Sequence, residues 1–362
     1  MKIYYILKKG FQCYPPCLAQ LLYLNDLGVN LEVYHGQNTT IINDMLDQRG
    51  IKHHTLKSDK DNSNRFQSMK TLIQYTLEIK KILKTIEGDS VIWFGNCESV
   101  ITVWKKVRGK KFVLSVLELD DLNSFIGRQL KKFINQARAV LCCEKHRAAI
   151  MRIYYKLDKE PYVLPNKPYE FKNEKLILNE NFQQIINPIK NKFIVLYQGI
   201  ISPDRPLDKI AEALNKLNDD EVMFLVLGKA NAKYQADLIK RYKQTVFAGY
   251  IPSPQHLLVT QYANIGIANY DYSCLNNLFC APNKIYEYSR FGVPMLASQN
   301  LGLSETVGKD KAAVCVDFLN INQIIDGIKE IKENYSNYSK ASREFYEKTS
   351  NIEKIKEIIE NI

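Results

Sequence analysis

The sequence has no C-x-x-C pair, no long apolar run, no G-x-G-x-x-G fingerprint and only five histidines. Each absence removes a class of protein. Cys13 and Cys17 flank Pro15-Pro16, but two thiols with no histidine nearby make a poor zinc site. The eight cysteines therefore read as reduced thiols, with Cys142 and Cys143 inside an apolar strand. A membrane span needs roughly 20 apolar residues in a row, and none is present. The opening MKIYYILKKGF has too short an apolar segment, and no small-residue cleavage site, for a signal peptide. It reads as a first buried strand of a cytoplasmic protein. Without the glycine fingerprint a nicotinamide cofactor is disfavoured. No zinc-finger, helix-turn-helix or RNP-type aromatic pattern supports a nucleic-acid partner.

What is present is a chain of 362 residues, 46% hydrophobic and 25% charged, which suits two domains with a core each. Its net charge of +11 is uneven. Residues 1–190 hold 30 Lys and Arg against 19 Asp and Glu, whereas residues 191–362 hold 20 of each. The first half therefore faces something anionic, and a membrane surface attracts basic residues by roughly 1 kcal/mol each. A lysine-rich solvated surface is the plain alternative. From Phe66 to Ile86 the pattern Met69, Leu72, Ile73, Thr76, Leu77, Ile79, Leu83, Ile86 predicts one amphipathic helix, with Lys70, Lys80, Lys81 and Lys84 mostly off its stripe.

The order of elements points to an α/β architecture. A strand at Lys2–Leu7, a loop, a helix at Cys17–Leu27 and a strand at Val29–Tyr34 open a doubly wound sheet. Strands follow at Val91–Phe94, Phe112–Leu117 and Ala139–Cys143, with helices at Ser99–Val107, Asn123–Ala137 and Glu144–Tyr155. The pattern restarts with a strand at Phe193–Tyr197 and a helix at Asp208–Leu217. The reading is a first domain over residues 1–168, a linker over 169–190 and a second domain over 191–362. One charged helix, Tyr338–Ile362, closes the chain.

The chain is organised around CAPNKIYEYSRFGVPMLAS, Cys280 to Ser298. Pro282 suits a first helical turn, Gly292 a stop, and Pro294 blocks continuation, so a helix carrying Glu287 leads into a strand at Met295–Ser298. A helix start in such a sheet offers free N–H groups to phosphate. Pro-Asn-Lys-x-x-Glu-Tyr followed by Gly-x-Pro resembles the nucleotide-sugar motif of GT-B glycosyltransferases, specifically glycosyltransferase family 4, also called group 1. The resemblance implies an α/β GT-B fold of two Rossmann-like doubly wound domains facing across a cleft, with the last helix crossing back to the first. It covers most of the chain and is strongest from Phe193 to Ser298.

The resemblance also implies roles. Glu287 would hold the ribose hydroxyls of the donor, as a carboxylate can accept both hydrogens of a diol. The family often has a second Glu eight positions earlier, where this chain has Phe279. Gly199 and Arg205 match the glycine loop and basic residue that embrace the donor diphosphate. Gly228 ends the next strand, and Tyr250, after Gly249, matches a loop that holds the base through main-chain groups. Asn276 and Asn277 fall where the donor sugar would lie, although asparagine is also an ordinary turn residue. Lys284 adds charge toward phosphate. On the acceptor side Gly10 matches a flexible position after the first strand. Glu118 stands where many members have a His-Glu pair, here Leu117-Glu118, and would act as base or position the acceptor. Asp120 and Asp121 read instead as caps of the following helix.

Together these imply transfer of a hexose from a nucleotide-diphosphate sugar, UDP-sugar first and GDP-sugar second, to a glycan or lipid-linked hydroxyl. The family implies a retaining reaction without a metal or resident cofactor. The basic first half suggests peripheral contact with the inner face of the membrane, as in capsule or O-antigen assembly. A nucleotide-sugar epimerase of the same fold, or a catalytically silent partner of another transferase, is the rival.

Overall fold

Short apolar runs separated by helical stretches pair as parallel strands when each run is buried on both faces. The computed structural model describes residues 1–57, 65–170, 180–201, 207–229 and 231–362. It forms two units, Met1–Tyr169 with Ser350–Ile362, and Glu170–Thr349.

In the first unit β1 (Lys2–Leu7), α1 (Pro15–Asp26), β2 (Asn30–His35), α2 (Thr40–Gln48), β3 (Lys52–Thr55), α3 (Arg65–Thr85) and β4 (Val91–Phe94) follow in turn. Then come α4 (Trp104–Val107), β5 (Lys111–Ser115), α5 (Phe125–Leu130), β6 (Ala139–Cys142), α6 (Lys145–Tyr155) and β7 (Tyr162–Val163). The strands pair in parallel in the order β3-β2-β1-β4-β5-β6-β7. The second unit runs α7 (Glu180–Ile186), β8 (Phe193–Gln198), α8 (Asp208–Leu217), β9 (Val222–Leu227), α9 (Ala232–Arg241), β10 (Thr245–Gly249), α10 (Leu257–Thr260) and β11 (Ile265–Ala268). It continues with α11 (Leu275–Leu278), α12 (Asn283–Ser289), β12 (Met295–Ser298), α13 (Leu301–Leu303), β13 (Ala313–Val316), α14 (Ile321–Glu333) and α15 (Tyr335–Glu347). Its parallel order is β10-β9-β8-β11-β12-β13. The last helix, α16 (Asn351–Glu360), belongs to the first unit. Both sheets are therefore of Rossmann-like type.

Helices differ from the sequence pattern where side chains find better partners than a continuing turn. The helix expected over Asn123–Ala137 is α5 alone, followed by a short 3-10 turn at Ile134–Gln136. Adjacent Phe133 and Ile134 are both buried, and Phe133 stacks on Trp104 at 5.6 Å. The helix expected over Ser99–Val107 shrinks to α4. The closing helix is two, parted at Lys348–Ser350: α15 lays Phe345 on Tyr286 at 5.2 Å, and Asn351 at the start of α16 donates to Pro165 O at 2.9 Å. In α3 the core stripe is Tyr75, Ile79, Leu83 and Ile86, while Met69, Leu72, Ile73 and Leu77 lie exposed.

One polar group organises the first core. Gln20 on α1 is buried, and its Oε1 accepts from Tyr5 OH at 3.2 Å, Trp93 Nε1 at 3.1 Å and Ser115 Oγ at 3.0 Å. A single amide thus ties α1 to β1, β4 and β5. Removing an acceptor strands its buried donors. Gln20→Leu should lower the stability of the first unit by about 2–3 kcal/mol. Both tryptophans, Trp93 and Trp104, lie in that unit, so urea unfolding followed by indole fluorescence reads it directly. An unchanged midpoint would mean that the shared oxygen carries no net stabilisation.

Candidate functional site

In the second sheet β8 and β11 are neighbours at the centre, and the chain leaves them toward opposite edges. Ligands of open α/β sheets bind beyond the strand ends at such a switch point. The element that returns there is α12. Pro282 is its N-cap residue, Gly292 sits at φ +67° just past its end, and β12 follows. The helix is short, and Lys284 to Ser289 are all buried. Tyr288 OH donates to Leu196 O at 3.1 Å and to Ile267 O at 3.3 Å, which staples α12 to β8 and β11. Gly266 leaves room for that ring, since a Cβ there would fall 2.3 Å from it.

This staple fixes the preceding residue, Glu287. Its carboxylate is buried and takes one donor on each oxygen: Gln198 Nε2 on Oε2, and His256 Nε2 on Oε1 at 3.1 Å. Gln198 is the last residue of β8, and its own Oε1 accepts from Thr260 Oγ1 at 2.9 Å. Burial pushes the Glu287 carboxyl toward its neutral form, but His256, Gln198 and the Lys284 charge outweigh it, so the group is held below its ordinary pKa. The site therefore keeps an ionised carboxylate in the interior, with a second acceptor position on each oxygen.

Glycine corners surround it. Gly199, Gly228 and Gly249 end β8, β9 and β10 at φ +141°, +150° and +75°. A Cβ on Gly228 would sit 1.7 Å from Gly199 O, so backbone meets backbone there and no side chain fits. Lys284 is buried, with Nζ 3.3 Å from where a Cβ on Gly199 would lie, and 4.4 Å and 5.2 Å from the ring centres of Tyr197 and Tyr270. An ammonium group thus stands at the first glycine corner. Tyr250, half exposed beyond Gly249, has Lys229 Nζ 4.8 Å from its ring centre. Asn276 and Asn277 lie on α11, where Asn277 Nδ2 donates to Asp271 Oδ1 at 2.6 Å. Phe279 is the residue that closes α11. Arg205 lies outside the described residues.

The residues expected on the acceptor side lie in the first unit. Gly10 has an extended backbone, and a Cβ would fall 2.1 Å from Gln37 O. Close approach of the Gln37 backbone, rather than flexibility, explains the glycine. Glu118 is exposed beyond β5. Asp120 is not the helix cap that the sequence suggested. Ser124 caps α5 by accepting from Gly127 N at 3.1 Å, while Asp121 accepts from Asn123 N at 2.8 Å. Burial, with Glu118 and Glu98 nearby, raises the Asp120 pKa above the usual carboxylate value. Among the described residues no three His, Cys, Asp or Glu side chains gather as metal ligands.

Residues 179–351 match the family described as glycosyl transferases group 1. That stretch is a group 1 glycosyltransferase domain. It contains the Gly199 and Gly228 corners, Lys284 and Glu287, and it makes the chain a glycosyltransferase by class. No curated protein matches the glycosyltransferase. Its fold is shared with solved structures along nearly the whole length. HepE of Anabaena in complex with UDP and glucose is 13% identical, with a TM-score of 0.71 over 99% of this chain and 98% of that one. Sucrose-phosphate synthase from Thermosynechococcus elongatus is 15% identical, at 0.71 over 99% and 97%. UDP-GlcNAc 2-epimerase from Neisseria meningitidis is 12% identical, at 0.65 over 100% and 99%. At these identities the likeness is one of fold: the two-sheet GT-B architecture.

The glycosyltransferase domain also contains site residues that the sequence did not reveal. Gln198, His256 and Thr260 hold Glu287, yet they stand 89, 31 and 27 positions from it. Gln198 beside Gly199 was the one available hint. Because the folded-state pKa of Glu287 is depressed, its contribution is full above about pH 4.3, the ordinary glutamate value, and is lost as pH falls through the depressed value. In differential scanning calorimetry the transition not reported by Trp fluorescence should drop in temperature below about pH 4. In Glu287→Gln that transition should start lower at pH 7 and vary less over the acid range. Equal acid dependence in the two proteins would show that the carboxylate is not held ionised.

Proposed function

We propose that this glycosyltransferase moves a sugar from a UDP-sugar to a hydroxyl of a glycan or lipid-linked acceptor. The observation that carries the reading is the ionised Glu287 carboxylate at the end of β8, with the Lys284 ammonium at the Gly199 corner beside it. A ribose diol donates two hydrogen bonds, and each Glu287 oxygen has an acceptor position left after Gln198 and His256. A diphosphate needs cations and close backbone, which Lys284, Gly199 and Gly228 offer. Arg205, six positions after Gly199 in the sequence, would supply a guanidinium. HepE, solved with UDP and with UDP-glucose, supports a UDP-sugar over a GDP-sugar.

These cations stabilise the diphosphate as it leaves, where charge develops in the transition state. A front-face, retaining path then needs no protein nucleophile and no metal. Glu118, with Asp120 beside it, positions or deprotonates the acceptor hydroxyl. The basic first unit works at an anionic membrane surface, on the cytoplasmic side, in assembly of a surface polysaccharide. A UDP-GlcNAc 2-epimerase shares the fold, but the group 1 match favours transfer.

Titration calorimetry tests the donor site. UDP should bind the wild type more tightly than GDP. Glu287→Ala should weaken UDP about 10- to 100-fold, the value of hydrogen bonds to a charged group. Lys284→Gln should weaken UDP but leave uridine unaffected. UDP binding that is absent from the wild type, or equal in Glu287→Ala, would refute the assignment.

A further inference from the structure

The exposed stripe of α3 has no use in the core. Met69, Ile73 and Leu77 stand at i, i+4 and i+8, which places them in one row on the helix surface. They are 60%, 55% and 54% exposed, and Leu72 beside them is 38% exposed. At 3.6 residues per turn this row lies roughly 125° round the helix from Tyr75, Ile79, Leu83 and Ile86, so it projects away from the sheet. A helix that packs one apolar face inward normally turns charge outward. Here a second apolar face looks outward instead.

Charge frames that face. Lys70, Lys80, Lys81 and Lys84 lie around and beyond the row, and among the described residues none of the four makes an ion pair. The acid on α3, Glu78, accepts from Lys57 N at 3.2 Å. Helix α4 packs against α3 and adds exposed Lys105, Lys106 and Arg108. Lys105 Nζ and the Arg108 guanidinium stand 5.8 Å and 5.1 Å from the Trp104 ring centre. An aliphatic row framed by ammonium groups selects among occupants. A second copy of the chain would set lysines against lysines. Nucleic acid would meet the lysines, but Met, Ile and Leu offer its bases neither stacking nor hydrogen bonds. A bilayer with anionic headgroups uses both features, because aliphatic side chains enter the acyl boundary while lysine stems reach up to phosphate.

We propose that α3 seats the first unit on an anionic lipid surface, with Met69, Ile73 and Leu77 inserted and Lys70, Lys80, Lys81 and Lys84 on the headgroups. This rests on the reading that the chain works at a membrane, and is independent of the donor. The test is co-sedimentation of the full chain with vesicles of phosphatidylcholine, with and without phosphatidylglycerol. One variant carries Met69→Ser, Ile73→Ser and Leu77→Ser, and another carries Lys→Gln at positions 70, 80, 81 and 84. All seven sites are on the surface, and UDP binding and the Trp unfolding midpoint monitor the fold. The wild type should partition at least tenfold more strongly onto phosphatidylglycerol-containing vesicles, and each variant should lose at least tenfold with UDP affinity unchanged. No binding by the wild type would overturn both the proposal and the membrane reading. Binding that survives in both variants would overturn the proposal alone and move the contact elsewhere. Equal binding to neutral vesicles, or a wild-type dimer abolished by the serine variant in sedimentation equilibrium, would also overturn it.

Discussion

A carboxylate held ionised inside a protein must have its charge met on every side, or it takes up a proton. Glu287 is such a group, and much of the second unit meets its needs. Gln198 must end β8 where its amide reaches one oxygen, and Thr260 must orient that amide. His256 must come from a different segment to reach the other oxygen. Tyr288 must reach two strand carbonyls to hold α12 at the right height, which Gly266 permits by having no side chain. Phe345 on α15 supports Tyr286 from the other side of the helix. Loop, helix and sheet are thereby fixed relative to one charge at the switch point.

The first unit solves a different problem with neutral chemistry. Its sheet is joined to α1 by the Gln20 amide, whose partners are hydroxyl and indole donors rather than charges. A neutral hub costs less to bury than an ion pair and depends little on pH. Charged side chains are buried in this unit too, at Glu32, Glu144, Arg147 and Lys167, while the excess of Lys and Arg over Asp and Glu falls in residues 1–190. The half that carries most of the family match, residues 191–362 with 20 acidic and 20 basic residues, holds the groups suited to a nucleotide diphosphate.

Much of the fold was legible in the order of residues. Apolar runs such as Lys2–Leu7, Val91–Phe94 and Met295–Ser298 became strands at those bounds, because a fully buried parallel strand tolerates little but apolar side chains. Asp208–Leu217 became the helix its period predicts. The motif around Glu287 carried the family and named Lys284, Gly199 and Gly228, since turns and helix stops require particular residues locally. Periodicity failed where two faces overlap. The apolar residues of α3 merged in sequence into one stripe, whereas the helix divides them between the core and the outer surface.

The sequence by itself determined what depends on neighbours along the chain: strand and helix identity, the glycine corners and the motif helix. The tertiary structure alone decided which distant side chains meet. His256 reads as an ordinary residue in an apolar run, and no spacing rule links it to a carboxylate 31 positions on. Gln20 and Trp93 are likewise 73 positions apart. Such pairings arise from how strands are ordered across a sheet, and strand order is set by packing between elements rather than by the local preferences of any one of them.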